Sequence, residues 1–237
     1  MKPFFLMLGF FTRIPVPFVE YTEERYVKGM PLMPFVGLVS GALLFALSFA
    51  YKVLPMPVVA LLLYVGYLLI TGGIHLDGLG DSCDGLFSGR DREKMLEIMK
   101  DSRSGSFGVL GLIAASAAYL IFFTYTKQYA VLLFPMVGKC VPIVTCKVSE
   151  YIRPRGMAEL FAKNASTGIL VFTLAAAAVI CALLGPIYII ALAVSMALCV
   201  VLALRIKKIL GGYTGDILGL LCEVSQLTFL LVCIFNI

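Results

Sequence analysis

Charge is scarce in this chain. Asp, Glu, Lys and Arg make up 14% of its 237 residues, 61% are apolar, and mean hydropathy is +1.00. That excludes an ordinary soluble domain and reads as an integral membrane protein. Tryptophan is absent, so Tyr and Phe must supply any aromatic belt at the bilayer surfaces. The seven cysteines, at 83, 140, 146, 181, 199, 222 and 233, include no C-x-x-C pair and lie mostly in apolar runs. They read as small apolar fillers, with no disulfide framework or zinc site. The net charge of +5 implies no nucleic acid, because the basic residues sit in short loops beside apolar spans. Residues 1–30 begin like a signal peptide, but Arg13 and two prolines interrupt them and no small-residue cleavage site follows. They read as an uncleaved interfacial segment.

What is present is a series of apolar runs. A span crossing a hydrocarbon core of ~30 Å needs about 20 apolar residues. Candidates lie near 31–51, 57–76, 106–126, 128–146, 167–185, 186–204 and 216–236, the fourth interrupted by Lys139 and Pro142. The expected fold is an all-α integral membrane protein, a single polytopic domain over 1–237. It has about seven transmembrane helices (six to eight), the interfacial N-terminal segment, and an amphipathic cytoplasmic helix over 90–100. With the N-terminus in the cytoplasm, sixteen of the nineteen basic residues fall on that side, against Lys52 and Lys127 outside and Lys139 within the bilayer. The positive-inside rule therefore places the working face in the cytoplasm.

Polar chemistry is concentrated in residues 72–108, which hold seven of the fourteen acidic residues and the single histidine. Within them, 77–105 is the acidic catalytic segment. Asp77, Asp81 and Asp84 are spaced four and three apart, which on a helix puts three carboxylates on one face. Their repulsion needs relief, and a hard divalent cation supplies it: magnesium, with manganese as the alternative, gripping a diphosphate. Asp101 could bring a fourth carboxylate to the same ion. The bland alternative is a solvated acidic loop balanced by Arg90 and Arg92. Gly78, Gly80 and Gly85 are poor helix formers that let other groups or a bulky ligand approach the backbone.

Other motifs carry two readings each. In KDSRSGSFG, residues 100–108, Lys100, Ser102, Arg103 and Gly105 suit a phosphate-holding loop at a helix N-terminus, or an ordinary capped loop. His75 could hydrogen-bond a phosphate, shuttle a proton, or be structural. In GGYTGDILG, Thr214 and Asp216 open the last span and Glu223 lies seven residues on, on the same helical face. They form a functional group of the intramembrane kind or a helix start with its cap. Arg153 and Arg155 bind an anion or obey the charge rule, and Arg13 is in the same position.

These segments resemble the adenosylcobinamide-GDP ribazoletransferases, or cobalamin synthases. GGIHLDGLGDSCDGLFSGRDREKMLEIMKDSRSGSFG is similar to that family's acidic signature, and GGYTGDILG with Glu223 to its C-terminal one. TRIPVP, MPFVGLVSG at 33–41 and the RPRG turn have counterparts too, so the likeness runs over essentially the whole chain. Ser82-Cys83 and Pro154 depart from the pattern without touching the carboxylates. The resemblance implies an enzyme of cobalamin biosynthesis that assembles the nucleotide loop of a corrinoid. It would join adenosylcobinamide-GDP to alpha-ribazole or its 5'-phosphate, release GMP and require Mg²⁺. Asp77, Asp81, Asp84 and Asp101 would hold the metal, and one of them or His75 would take the proton. Lys100, Ser102 and Arg103 would contact phosphate, with Thr214, Asp216 and Glu223 shaping the site. Self-association is left open. The CDP-alcohol phosphotransferases share Asp81-Ser-Cys-Asp84-Gly85, but Ser88-Gly89 stands where their Ala-Arg belongs. A cation transporter is the reading from another class; it would need its acidic site near the bilayer midplane.

Overall fold

Long apolar segments cannot leave backbone amides unpaired in lipid, so each closes its hydrogen bonds within a helix. The computed structural model describes residues 1–153 and 157–235. In chain order the helices are α1 (Lys2–Phe11), α2 (Glu23–Gly29), α3 (Met33–Ser48), α4 (Met56–Thr71), α5 (Ile74–Phe87) and α6 (Arg92–Ile98). They continue as α7 (Ser106–Tyr125), α8 (Gln128–Val148), α9 (Met157–Asn164), α10 (Thr167–Leu184), α11 (Pro186–Leu210) and α12 (Gly215–Ile234). Among the described residues six stretches are long and apolar enough to cross a membrane, and the bent pair α4–α5 makes a seventh only where it is counted as one span. The protein is an all-α multi-pass membrane protein, as the apolar runs imply. Leu69, Leu110, Val179 and Leu183 are among the apolar side chains it turns outward.

The second span departs from its expected limits of 57–76. Gly72 and Gly73 both hold positive φ, 65° and 69°, conformations that side-chain-bearing residues rarely adopt. They end α4 at Thr71 and turn α5 by 92°. The sixteen residues of α4, at about 1.5 Å each, reach only about 24 Å. As α4 stands along the bundle, α5 runs across its end. The acidic stretch is therefore a transverse helix and not the tail of a span.

The fourth candidate span, the one broken by Lys139 and Pro142, is the central helix. α8 is buried from Ala130 to Pro142 with few gaps, and it packs against α3, α10, α11 and α12. Lipid tails are as apolar as leucine, so association relies on close backbone approach at small residues. On α3, a β-carbon at Gly37 would run into Met136, and one at Gly41 would fall on the carbonyl oxygen of Leu132. The cysteines follow their expectation: all seven are free, and six are buried.

At the end of the bundle where α5 lies, short elements close over it. An isolated bridge joins Tyr151 to Tyr213, with Tyr213 N–H donating to Glu150 O (2.8 Å) and Ile152 N–H donating to Tyr213 O (3.1 Å). It pins the segment leading to Arg153 against the start of α12. The amphipathic α6 docks through Met95 and Met99 onto Gly85, and the Arg92 guanidinium donates to Leu210 O (2.6 Å) at the end of α11.

Gly41→Ala should push α3 from α8 and lower stability in detergent by on the order of 2 kcal/mol, read as a lower thermal midpoint. Gly66→Ala on α4, whose β-carbon meets only Leu44 and Leu47 methyls at 3.2 Å, should be neutral or stabilising. Equal midpoints for the two variants would contradict the backbone-contact account.

Candidate active site

Two glycines decide where the carboxylates of α5 stand. Gly78 packs against the Asp216 backbone, and a β-carbon on Gly219 would lie 2.8 Å from His75 O. Backbone meets backbone, so the first turn of α12 lies directly on α5. The glycines thus serve helix contact: Gly78 receives α12, Gly80 faces Leu112, and Gly85 receives Met99. Of the two approaches expected at these glycines, that of other groups of the chain is the one this packing shows.

The contact gathers Asp77, Asp81 and Asp216. Asp77 is exposed and Asp81 half-buried. Burial first, then the negative charges of Asp77, Asp216 and Asp84, push the Asp81 carboxyl up to about 6, against a smaller opposing effect of Arg153. Arg153 Nη2 donates to Asp216 Oδ2 at 2.7 Å, and Thr214 Oγ1 lies 3.2 Å from the same oxygen. Thr214 also caps α12 by accepting from Ile217 N–H. Nε of Arg153 is buried without a hydrogen-bond partner among the described residues. Arg155 lies outside the described residues.

Asp84 shares the helix with Asp77 and Asp81 but turns elsewhere. Its Oδ2 accepts from Gly105 N–H (2.7 Å) and its Oδ1 from Gly108 N–H (2.8 Å), so a buried carboxylate caps the N-terminus of α7. In this arrangement the Gly105 N–H holds Asp84, where the sequence suggested a phosphate. Asp101 is apart as well. Arg103 grips it in a bidentate pair on the surface and holds its carboxyl near 2. Lys100, Asp101 and Arg103 line an outer groove of about 470 Å³, and Ser102 is exposed beside them.

His75 points inward. Its Nε2 lies 2.6 Å from Lys139 Nζ, and Lys139 Nζ also sits 4.9 Å from the centre of the Phe11 ring. Burial, then the Lys139 charge, hold His75 well below the ordinary histidine range, so the imidazole is neutral and Nε2 accepts. Glu223 is fully buried, and its two oxygens accept from the hydroxyls of Tyr67 and Tyr119, both at 2.6 Å. Gln226 Nε2 donates to Tyr67 Oη at 2.9 Å. Lys139, Tyr67, Tyr119 and Gln226 were not among the expected site residues. Lys139 was visible as a cation inside a span, and Gln226 as a polar residue three positions after Glu223. The two tyrosines carried no signal apart from other interfacial aromatics.

Two cavities flank Asp77. The larger, about 760 Å³, runs between α1, α4 and α7, with Arg13 lying over Gly72 at its rim. The smaller, about 230 Å³, is walled by aromatic rings and reaches Asp216. A carboxylate cluster with an arginine, open to cavities on both sides, can hold a polyanion through a cation and bring a second molecule against it.

Among the described residues no three Asp, Glu, His or Cys side chains form a ready ligating set. Mg²⁺ takes one or two carboxylates and fills its remaining positions with water and substrate phosphate, so Asp77 and Asp81 fit an ion that arrives with a diphosphate.

Since Asp81 holds its proton more tightly folded than unfolded, its contribution to stability is complete below about pH 3.8 and lost as pH rises through about 6. Asp81→Asn should flatten that loss and raise the thermal midpoint of metal-free protein at pH 7, while Asp84→Ala should lower the midpoint by stranding the α7 amides, at a stability cost of about 1–3 kcal/mol. A midpoint for Asp81→Asn at or below wild type would contradict the crowding of carboxylates.

The chain is similar along its whole length to proteins of known kind. The family model described as Cobalamin-5-phosphate synthase matches residues 3–234. The protein named adenosylcobinamide-GDP ribazoletransferase from Alkaliphilus oremlandii is 37% identical, over 98% of this chain and 96% of its own. Those of the same name from Acetivibrio thermocellus and Citrobacter koseri are 38% and 35% identical, over 98% and 97% of this chain and 97% and 98% of theirs. No solved structure matches. Matched from end to end by the family model and by relatives that share the name of one transferase, this chain belongs to the cobalamin-5-phosphate synthase family.

Proposed function

We propose that the chain joins adenosylcobinamide-GDP to alpha-ribazole or its 5'-phosphate, releasing GMP, at the α5–α12 contact on the cytoplasmic face of a prokaryotic inner membrane. The observation that carries this reading is the group Asp77, Asp81, Asp216 and Arg153, placed between two cavities in a chain whose relatives bear that activity in their names. The alcohol oxygen of the ribose attacks the phosphorus that bears the cobinamide. The bond from that phosphorus to the bridging oxygen breaks, and GMP leaves with the electron pair.

Asp77 and Asp81 would hold Mg²⁺, which when bound neutralises charge on the diphosphate and the leaving group. Arg153 supplies a fixed cation on the same oxygens, and its unpartnered Nε is a donor in reserve. One carboxylate of this group accepts the hydroxyl proton. His75 is engaged by Lys139 and orients the first turn of α5. Arg13 closes the rim of the larger cleft beside Asp77. Asp101, Lys100 and Arg103 sit at an outer groove where the far end of a long substrate can rest.

Purified protein supplied with adenosylcobinamide-GDP, alpha-ribazole 5'-phosphate and Mg²⁺ should release GMP and a cobamide, resolved by chromatography. Asp77→Asn and Asp81→Asn should each lower kcat by on the order of 10²- to 10³-fold. Turnover of a CDP-alcohol with no cobamide formed would overturn the assignment.

A further inference from the structure

The smaller cavity beside Asp77 has a lining that its position alone does not require. Phe10, Phe11, Tyr26 and Phe161 bring rings to it from α1, α2 and α9, and His75 adds a fifth from α5. The rings meet one another at an angle: Phe10 and Tyr26 are 5.8 Å apart at 90°, and Tyr26 and Phe161 are 5.5 Å apart at 73°. Edge-to-face packing of this kind leaves ring faces and edges free to take another flat group. Carboxylates of Asp77 and Asp216 stand at the same cavity.

A second observation is independent of shape. The Tyr26 hydroxyl is buried and has no hydrogen-bond partner among the described residues. Leaving such a donor unpaired is unfavourable, and an acceptor on a bound molecule would relieve it.

We propose that this cavity seats the base of the acceptor nucleoside, an apolar bicyclic heteroaromatic with one unsubstituted ring nitrogen that accepts from Tyr26. The inference rests on the transferase reading given above and adds to it the position of one substrate. About 230 Å³ accommodates a fused pair of rings and excludes a corrin macrocycle. Guanine, the other flat base in the reaction, carries a ring N–H, an exocyclic amine and a carbonyl on its edges. The groups here that could accept from its N–H edges, Asp77 and Asp216, belong in that reading to the metal and diphosphate end, Asp216 being paired with Arg153 as well, and the His75 Nε2 is taken by Lys139, so the edge of guanine would be left largely unpaired against the phenylalanines. A benzimidazole-type base has one polar atom free once its other nitrogen bears the sugar, and the wall offers one free hydroxyl. The sugar then lies toward Asp77 and Asp216, where its hydroxyl meets the carboxylate group.

Equilibrium dialysis of the detergent-purified full chain, without the corrinoid substrate, tests this with alpha-ribazole and with its indole isostere, in which CH replaces the free ring nitrogen. Wild type should prefer alpha-ribazole by about tenfold, and Tyr26→Phe should bind both equally. Phe161→Ala should weaken both by on the order of tenfold, with Phe161→Leu, which keeps the bulk of the α9 contact, intermediate. In turnover, Tyr26→Phe and Phe161→Ala should raise KM for the acceptor and leave KM for adenosylcobinamide-GDP unchanged. No binding by wild type, equal binding of the two nucleosides by wild type, or a rise in the donor KM instead would overturn the assignment. Binding that follows this pattern in a protein with no turnover would support the cavity and sink the reaction, so the two readings fail separately.

Discussion

Where Gly78 of α5 meets Gly219 of α12, neither helix has room for a side chain, and the close crossing fixes what lies on each side of it. Three aspartates come within reach of one another only because two helix backbones do. Without that crossing, Asp216 would cap its own helix, and Asp77 and Asp81 would face water. With it, like charges are confined beside a bilayer, a state that is costly alone and favourable with a cation or a phosphate clamp. Glycine packing thus holds the candidate site together, and a bound cation with phosphate would relieve its crowded charge.

The remaining charges in the bundle are each matched. Asp84 spends its carboxylate on the N-terminal amides of α7, which locks α5 to α7. Glu223 is bound by two tyrosine hydroxyls, and Lys139 by His75 and the face of Phe11. A polar group in a low-dielectric core is tolerated when its partners are complete, and complete partners make a core specific. Arg153 Nε and Tyr26 Oη are the exceptions that matter, since both border the carboxylate site and have no hydrogen-bond partner among the described residues. The completed groups hold the scaffold; the incomplete ones face where substrates would come.

Much of this was legible in the chain itself. Apolar runs located most of the spans to within a few residues, and the clustering of acidic residues pointed to α5, the helix that carries the candidate site. What the runs could not convey was direction. Gly72-Gly73 is a pair of poor helix formers in any sequence, but the turn it makes depends on both adopting positive φ, which tertiary packing selects. Spacing of four and three put Asp77, Asp81 and Asp84 on one face of a helix, and they do share one. Yet a helical face is about 100° wide, enough for Asp84 to turn to α7 while Asp81 turns to α12. Asp101 was expected to return to the cluster, and a local partner, Arg103, holds it at the surface. Lys139 read as a flaw in a span because a sequence shows a buried cation but not the imidazole that receives it. The aromatic cavity was illegible, since its rings come from three helices spread between Phe10 and Phe161.

The account depends on Asp77 and Asp81 holding a divalent cation together with a diphosphate, and Mn²⁺ titration followed by electron paramagnetic resonance reads that directly. Wild type should bind Mn²⁺ weakly alone and at least about tenfold more tightly with adenosylcobinamide-GDP present, since substrate oxygens complete the coordination. Asp77→Asn and Asp81→Asn should lose the substrate-linked gain, and Asp101→Asn should keep it, because Asp101 stands apart at the surface with Arg103. Tight, substrate-linked Mn²⁺ binding retained in a protein lacking both Asp77 and Asp81 carboxylates would contradict the account at its centre.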